Sequence, residues 1–375
     1  MADSLRPRRR RRGYGVVLGA GGVLGAAWMT GALAAVQAKL PGSLGEADLL
    51  IGTSAGSMLA AALRCGLGVD ELVAHQRGAP SSVLGTLCEP HLDCGTCPPW
   101  PSWRVGSPRL VLKALCPPWQ VHPWVTAAAC LPQGRAEHTM LRTVVSGLLA
   151  QDRQRATRHR PAGPGGSPAR PPGDAGGSGD GRHRPPALHP AMGWTASGRT
   201  WITAVDYDSG RRVVFGRGDA PPATLPDAVA ASCSVPAWYR PTVIGGHRYV
   251  DGGVHSGTNA DLLAAATGLE QAYVLAPAAS LDTDSPRGVS ERCERYIRRK
   301  MTQALLSEVA LLRDSGIRIT VLTPGPEDLA VMGGNLMDNH RREAVFETSL
   351  RTSAAALRGK ESGRRAPWPP QRAAG

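Results

Sequence analysis

Tyr14–Leu18 is a short apolar run that closes on Gly19, and such a run reads as a strand buried on both faces. Gly19–Gly25 is glycine-rich and reads as a turn. Ala26–Leu40 is rich in alanine, free of proline and stopped by Pro41, so it predicts a helix. The order then repeats. Asp48–Gly52 is a second apolar strand, and Ala55–Leu63 is a second helix with small residues at its start. Strand, turn, helix, strand, turn, helix is a βαβα unit, which implies a parallel sheet joined by right-handed crossovers.

The periodicity fades from about residue 80 to 190. Pro98, Pro99, Pro101, Pro117 and Pro118 interrupt it, and Met140–Ala150 is the helix expected there. Residues 151–190 are low-complexity Arg, Pro and Gly without an apolar period, and read as a disordered insertion. Order resumes at Thr200. Trp201–Val205 and Arg212–Phe215 predict a hairpin around the turn Asp208-Ser209-Gly210. Leu225–Ser232 predicts a helix, and His247–Val250 a strand that leads into Asp251-Gly252-Gly253. Helices at Asp261–Gly268, Glu291–Ser315 and Arg341–Leu357 alternate with strands at Gln271–Leu275 and Ile317–Leu322. The expected organisation is one α/β domain over 14–358, split by the insertion at 151–190. Disordered tails flank it at 1–13 and 359–375.

Composition narrows this only in part. The chain has 375 residues and 42% hydrophobic residues, enough for a sizeable core. Its net charge is +13, but much of that is local. Arg6 and Arg8 to Arg12 crowd a tail with no apolar period, and further arginines fall in the insertion. No basic stretch is interleaved with aromatics, so nucleic acid is not an expected partner. Solvated tails with weak attraction to anionic lipid explain the charge. No apolar run approaches the ~20 residues of a membrane-spanning helix. The basic N-terminus runs into a glycine turn rather than the apolar core of a signal peptide. The expected location is therefore cytoplasmic, with peripheral visits to a membrane surface. Of the eight cysteines, Cys65, Cys130, Cys233 and Cys293 are scattered and do not read as a disulfide scaffold. Cys88, His91, Cys94 and Cys97 have zinc-like spacing but lack two separated ligand pairs. They read as loop thiols, and no metal is expected.

Three segments carry candidate chemistry. Gly52-Thr53-Ser54-Ala55-Gly56 matches G-x-S-x-G between an apolar strand and a helix, the setting of a nucleophile elbow. Gly52 and Gly56 let the turn stay tight, and the helix start favours negative charge developing at Ser54. A serine that merely caps the helix is the alternative. Gly19-Ala20-Gly21-Gly22-Val23-Leu24-Gly25 can aim backbone N–H groups at an anion. Two uses compete: an oxyanion hole, or a dinucleotide pyrophosphate site. The second needs glycine at position 24, where leucine stands. Asp251 closes a strand and is followed by Gly252 and Gly253, which place a carboxylate on a sharp turn. Partial burial would raise its pKa towards that of a general base. His255 and His340 lie downstream of Ser54, but neither sits in a strand-end turn with a matching acid.

In this order the three motifs resemble those of the patatin-like phospholipase family. Ala230–Pro236 and Tyr239-Arg240-Pro241 ahead of Asp251 are similar as well, as is Asn259-Ala260-Asp261 after it. The likeness covers residues 14–75 and 195–355. It implies a three-layer α/β/α fold around a mainly parallel sheet, and a serine acyl-hydrolase acting on fatty-acyl esters of lipids or phospholipids. On that resemblance Ser54 attacks the ester and Asp251 takes its proton without a histidine. The N–H groups of Gly21 and Gly22, with the turn to Gly25, hold the oxyanion. An acyl-enzyme forms, and no metal or organic cofactor is required. Leu24 departs from the Arg or Lys frequent in the family, and Ala20 from a common glycine. Backbone donors survive both changes, but the missing cation weakens the grip on an anionic headgroup. Two alternatives remain open: a catalytically idle member that binds membrane surfaces, and an esterase with a serine–histidine–aspartate triad. Trp100, Trp103, Trp119 and Trp124 are the residues expected to help at an interface.

Overall fold

A computed structural model describes residues 13–79, 83–84, 102, 104–115, 122–158, 194–195, 198–282, 288–312 and 315–361. In it the apolar runs near both ends of the chain meet in one eight-stranded sheet. Strand β1 (Tyr14–Leu18) pairs in parallel with β2 (Leu49–Thr53) on one side and with β7 (Gln271–Leu275) on the other. β3 (Arg199–Asp206) continues the parallel order beyond β2, and β8 (Arg318–Leu322) continues it beyond β7. Three strands run antiparallel to their neighbours. β4 (Arg212–Phe215) and β6 (His247–Asp251) pair with β3, and β5 (Thr242–Ile244) pairs with β6.

Alternate strand residues bury in opposite directions, which is why these runs are apolar throughout. Val16, Leu18 and Leu50 pack with α1 (Gly22–Gln37), α2 (Ala55–Arg64) and α7 (Leu225–Ser232). Val17, Leu49 and Ile51 pack on the other face with Leu305 and Val309 of α8 (Val289–Leu311). Helices thus cover both faces of a central sheet, the α/β architecture expected. α1 is buried on nearly every side because α10 (Arg342–Glu361) lies across its back. Ser349 Oγ donates to Trp28 O at 2.6 Å, and the α10 backbone passes so close to Gly31 that a Cβ there would meet Leu350 N at 2.7 Å. A helix enclosed in this way has no polar face to show in its sequence.

The middle of the chain holds more helix than its sequence announces. α3 (Val69–Gln76), α4 (Pro108–Leu115), α5 (Pro123–Cys130) and α9 (Pro326–Met332) are short, and three of them begin at proline. Proline suits the first helical position, where its missing N–H costs nothing. α6 spans Thr139–Arg158, so the helix expected over 140–150 runs eight residues further. Residues 151–158 contain neither Gly nor Pro and are mostly good helix formers. Val144, Val145, Leu148 and Leu149 anchor the helix, and Arg155 Nη1 donates to Gly66 O at 2.9 Å. Residues 151–158 of the expected insertion are therefore helical, and residues 159–193 lie outside the described ones. The helix expected at Asp261–Gly268 is a 3-10 turn over Ala260–Ala265, entered from a left-handed Asn259. α10 runs on to Glu361, three residues into the tail expected from 359. The basic tail at 1–12 also lies outside the described residues. Among the described residues, no helix is long and apolar enough to cross a membrane.

Candidate active site

Strand pairing alone brings the two candidate catalytic residues together. β2 covers one edge of β3 from Arg199 to Thr203, where its last residue, Thr53, pairs with Thr203. β4 occupies the opposite edge, pairing with Ile202 through Val205. A strand residue has two edges, so β6, which pairs with Ala204 to Asp206, must take up the edge that β2 leaves. The two strands run towards each other along it. One ends at Thr53, the other at Asp251 opposite Ala204, and Ser54 follows Thr53 directly.

Ser54 sits at φ 53° and ψ −125°, a conformation that non-glycine residues rarely hold. Such a turn lifts the side chain off the strand and aims it past the start of α2. Close contacts on either side enforce it. A Cβ on Gly52 would meet Ser57 Cα, and one on Gly56 would meet the carbonyl of Leu18 at the end of β1. Ser54 N donates to Ser232 Oγ at 2.8 Å, and Ser57 Oγ donates to Ser54 O at 2.6 Å. Because the obstacle at Gly56 is backbone rather than a movable side chain, Gly56→Ala must displace β1 or α2. The expected outcome is loss of most soluble folded protein or a Tm drop of many degrees, measured by thermal unfolding.

Asp251 is 4% exposed. Burial raises its pKa to about 6, against hydrogen bonds from the Ser54 side chain and from Gly253 N that favour the charged form. The Gly253 N bond to Oδ1 is 2.7 Å long. The two glycines after Asp251 make the close approach possible. A Cβ on Gly252 would meet Thr203 O at 2.5 Å, and one on Gly253 would meet Ala20 Cβ at 3.1 Å. The second contact sets the Asp-Gly-Gly turn against the glycine-rich loop.

That loop divides unequally. Ala20 N donates to Gly257 O at 2.7 Å and Gly19 N to Leu275 O at 2.9 Å, which tie its start to the sheet. Gly22 has φ +60° and already opens α1. No hydrogen bond from the N–H of Gly21 or Gly22 is found among the described residues, so both remain available donors at a helix N-terminus. Gly25 is different. Its N–H donates to Gly21 O at 2.8 Å and is spent inside the helix. Gly25 is therefore not an oxyanion donor, and instead lets α1 pack on Pro277.

Residues outside the three candidate motifs complete the arrangement. Asn259, left-handed at φ 54°, donates from Nδ2 to Thr53 Oγ1 at 3.1 Å and to Ser256 O at 2.8 Å. The buried Glu308 of α8 accepts from Thr258 Oγ1 at 2.6 Å and from Ala260 N at 2.9 Å. The turn over 256–260 thereby holds both the residue before Ser54 and, through Gly257 O, the glycine loop. Ser232 and Asn259 lie in segments whose likeness the sequence carries, but their contacts, like those of Glu308, join distant segments and leave no trace in spacing along the chain.

The groups that shift the Asp251 pKa are Ser54 and Gly253, with no histidine among them. His255 is paired instead with the ring of His122, at 5.2 Å between centroids, and burial lowers its pKa to about 4. His340 lies in an exposed 3-10 turn. Among the described residues, no group of three or more His, Cys, Asp or Glu gathers in a metal-binding cluster. Cys88, His91, Cys94 and Cys97 lie outside the described residues, as do Trp100, Trp103 and Trp119.

Residues 192–264 match the family model of patatin-like phospholipases. The matched segment contains Asp251 and the Asn259 turn, so the resemblance read from the ordered motifs is shown there independently. Among the curated proteins nothing matches. Among solved structures, the chain is similar to VipD from Legionella pneumophila, at 11% identity and a TM-score of 0.41, over 93% of this chain and 67% of that one. It is also similar to the type III effector protein ExoU, at 16% identity and a TM-score of 0.37, over 93% of this chain and 53% of that one.

Proposed function

We propose that the protein is a serine acyl-hydrolase that cleaves fatty-acyl esters of lipids, phospholipids among them, with Ser54 as nucleophile and Asp251 as its base. The family match supports lipid hydrolysis in general. The finer reading rests on one observation: a strained elbow serine whose side chain hydrogen-bonds a buried carboxyl with a pKa of about 6. A free serine hydroxyl is a weak nucleophile at neutral pH. Asp251, mostly ionised above pH 6, accepts the Ser54 proton as Oγ attacks the ester carbonyl. The N–H groups of Gly21 and Gly22 meet the oxyanion as it forms, fixed beforehand and therefore strongest in the transition state. Collapse expels the alcohol, which takes the proton back from Asp251. A water then attacks the acyl-enzyme with Asp251 again as base, and the fatty acid leaves as Ser54 Oγ takes the proton back from Asp251.

Labelling of the folded protein with an alkyl fluorophosphonate, followed by peptide mapping, tests the nucleophile. Modification at Ser54 is expected, and a folded protein that resists the reagent would leave it catalytically idle. Replacement of His255 or His340 by alanine tests the base. General acid–base groups contribute about 10²–10⁴-fold, so either variant should stay well inside that range of wild type. A loss of that size from one of them would restore the triad.

A further inference from the structure

We propose that the first three turns of α8, with the start of α5, form a docking face for an anionic lipid bilayer beside the active site. The proposal rests on the lipid acyl-hydrolase reading and names the surface that delivers its substrate. β7 and β8 are parallel neighbours joined through α8. The N-terminal end of α8 therefore stands at the carboxyl edge of the sheet, where β2 ends just before Ser54. Residues 289, 293, 296 and 300 follow one another at helical spacing on one line of this helix. Val289 is 77% exposed, Tyr296 58% and Ile297, at its flank, 48%, with Cys293 exposed between them. Apolar side chains this bare on an otherwise well-packed helix call for a partner.

Charge selects the partner. Arg292 and Arg299 are exposed along the same stripe, and Lys300 Nζ lies 5.9 Å over the Tyr296 ring. The two acidic residues of these turns are engaged elsewhere. Glu291 accepts from Gly288 N at the helix start, and Glu294 pairs inward with Arg295 and Arg298. Among the described residues, the exposed face of these turns thus combines apolar and positive groups, with Cys293 between them. That is the pattern of a helix lying in the headgroup region of an anionic leaflet. A polyanion such as nucleic acid would use the arginines and leave the apolar stripe in water.

A cavity of about 200 Å³ lies between this face and His255, which follows the Asp251 turn in the chain. Lys300, Met301 and Ala304 of α8, Trp124 of α5 and His255 line it. A Cβ on Gly257, whose carbonyl holds the glycine loop, would meet Met301 Sδ at 3.2 Å. A lipid drawn from the leaflet would therefore enter next to the groups that flank Asp251.

Co-sedimentation with phosphatidylcholine vesicles, with and without phosphatidylglycerol, tests the proposal on the full chain. Wild type should pellet with the anionic vesicles and release at high salt. Arg292→Glu/Arg299→Glu and Tyr296→Glu/Ile297→Glu should each weaken partition at least about tenfold. Both should also slow hydrolysis of vesicle phospholipid, while Ser54-dependent hydrolysis of a soluble short-chain p-nitrophenyl ester and the Tm stay at wild-type values. Absence of pelleting, or variants that pellet like wild type, overturns the docking face. So does a concentration-dependent dimer abolished by Tyr296→Glu without vesicle binding, which would assign the stripe to a second copy. Vesicle binding with no Ser54-dependent turnover of the soluble ester would instead defeat the hydrolase reading and leave the face standing.

Discussion

Ser54→Ala is expected to lower kcat on p-nitrophenyl and phospholipid esters by at least about 10⁴-fold, the scale seen when the nucleophile of a cooperating serine site is removed. The oxyanion donors and the substrate contacts remain, so KM should change little. Some rate above the uncatalysed reaction should persist from the glycine loop alone. The variant should also fold. Ser54 holds its backbone in a costly conformation, and alanine has the same Cβ constraint, so the strain is neither relieved nor increased. The backbone bonds to Ser232 and Ser57 do not involve the lost hydroxyl. A near-native Tm with no turnover and no fluorophosphonate labelling is the expected combination. Ester hydrolysis that survives the change at wild-type rate would mean that the activity arises elsewhere on the chain.

Asp251→Asn is expected to cut activity by orders of magnitude and stabilise the fold at once. Loss of the base should lower kcat by about 10²–10⁴-fold. The stability effect follows from linkage. The folded pKa of about 6 lies above the ordinary value of 3.8 for a free aspartate. Between those values the native state holds more protons than the unfolded chain, so this group makes stability fall as pH rises from 3.8 through about 6, and the penalty is complete above that. A gap of this size corresponds to at most about 3 kcal/mol at pH 7. Asparagine cannot ionise, and its Oδ1 can still accept from Gly253 N. The Tm of Asp251→Asn should therefore exceed that of wild type at pH 7, with the difference shrinking towards pH 4. Activity of wild type runs the other way, with kcat/KM falling as pH drops through about 6 and the base is protonated. A variant Tm below wild type at pH 7 would show that the buried charge carries little penalty.

Legibility followed locality. Leu225–Ser232 and Gln271–Leu275 match their expected spans end to end, because each is an uninterrupted pattern with a clear stop. Short helices that open on proline, such as α4 and α5, were hidden by the feature that starts them, since proline also marks loops. The final eight residues of α6 read as part of the disordered insertion because arginine and glutamine dominate them. On a solvent-facing helix those residues are favourable, and composition alone does not separate the two cases.

The sequence by itself determined the elbow at Ser54, the glycine loop at the start of α1 and the carboxylate turn at Asp251. Each is a local steric demand met by small residues within a few positions, so the chain must spell it out. Only the tertiary structure decided that these pieces make one site. Ser54 and Asp251 meet because β2 and β6 share one edge of β3, a pairing set by burial of strands far apart in the chain. The same packing decided that Gly25 donates inside its own helix and that Asn259 and Glu308 hold the loop. It also left the stripe of α8 bare beside the site. Hydrogen-bond partners and exposure are properties of neighbours in space, and a linear pattern records them only where those neighbours are also near in sequence.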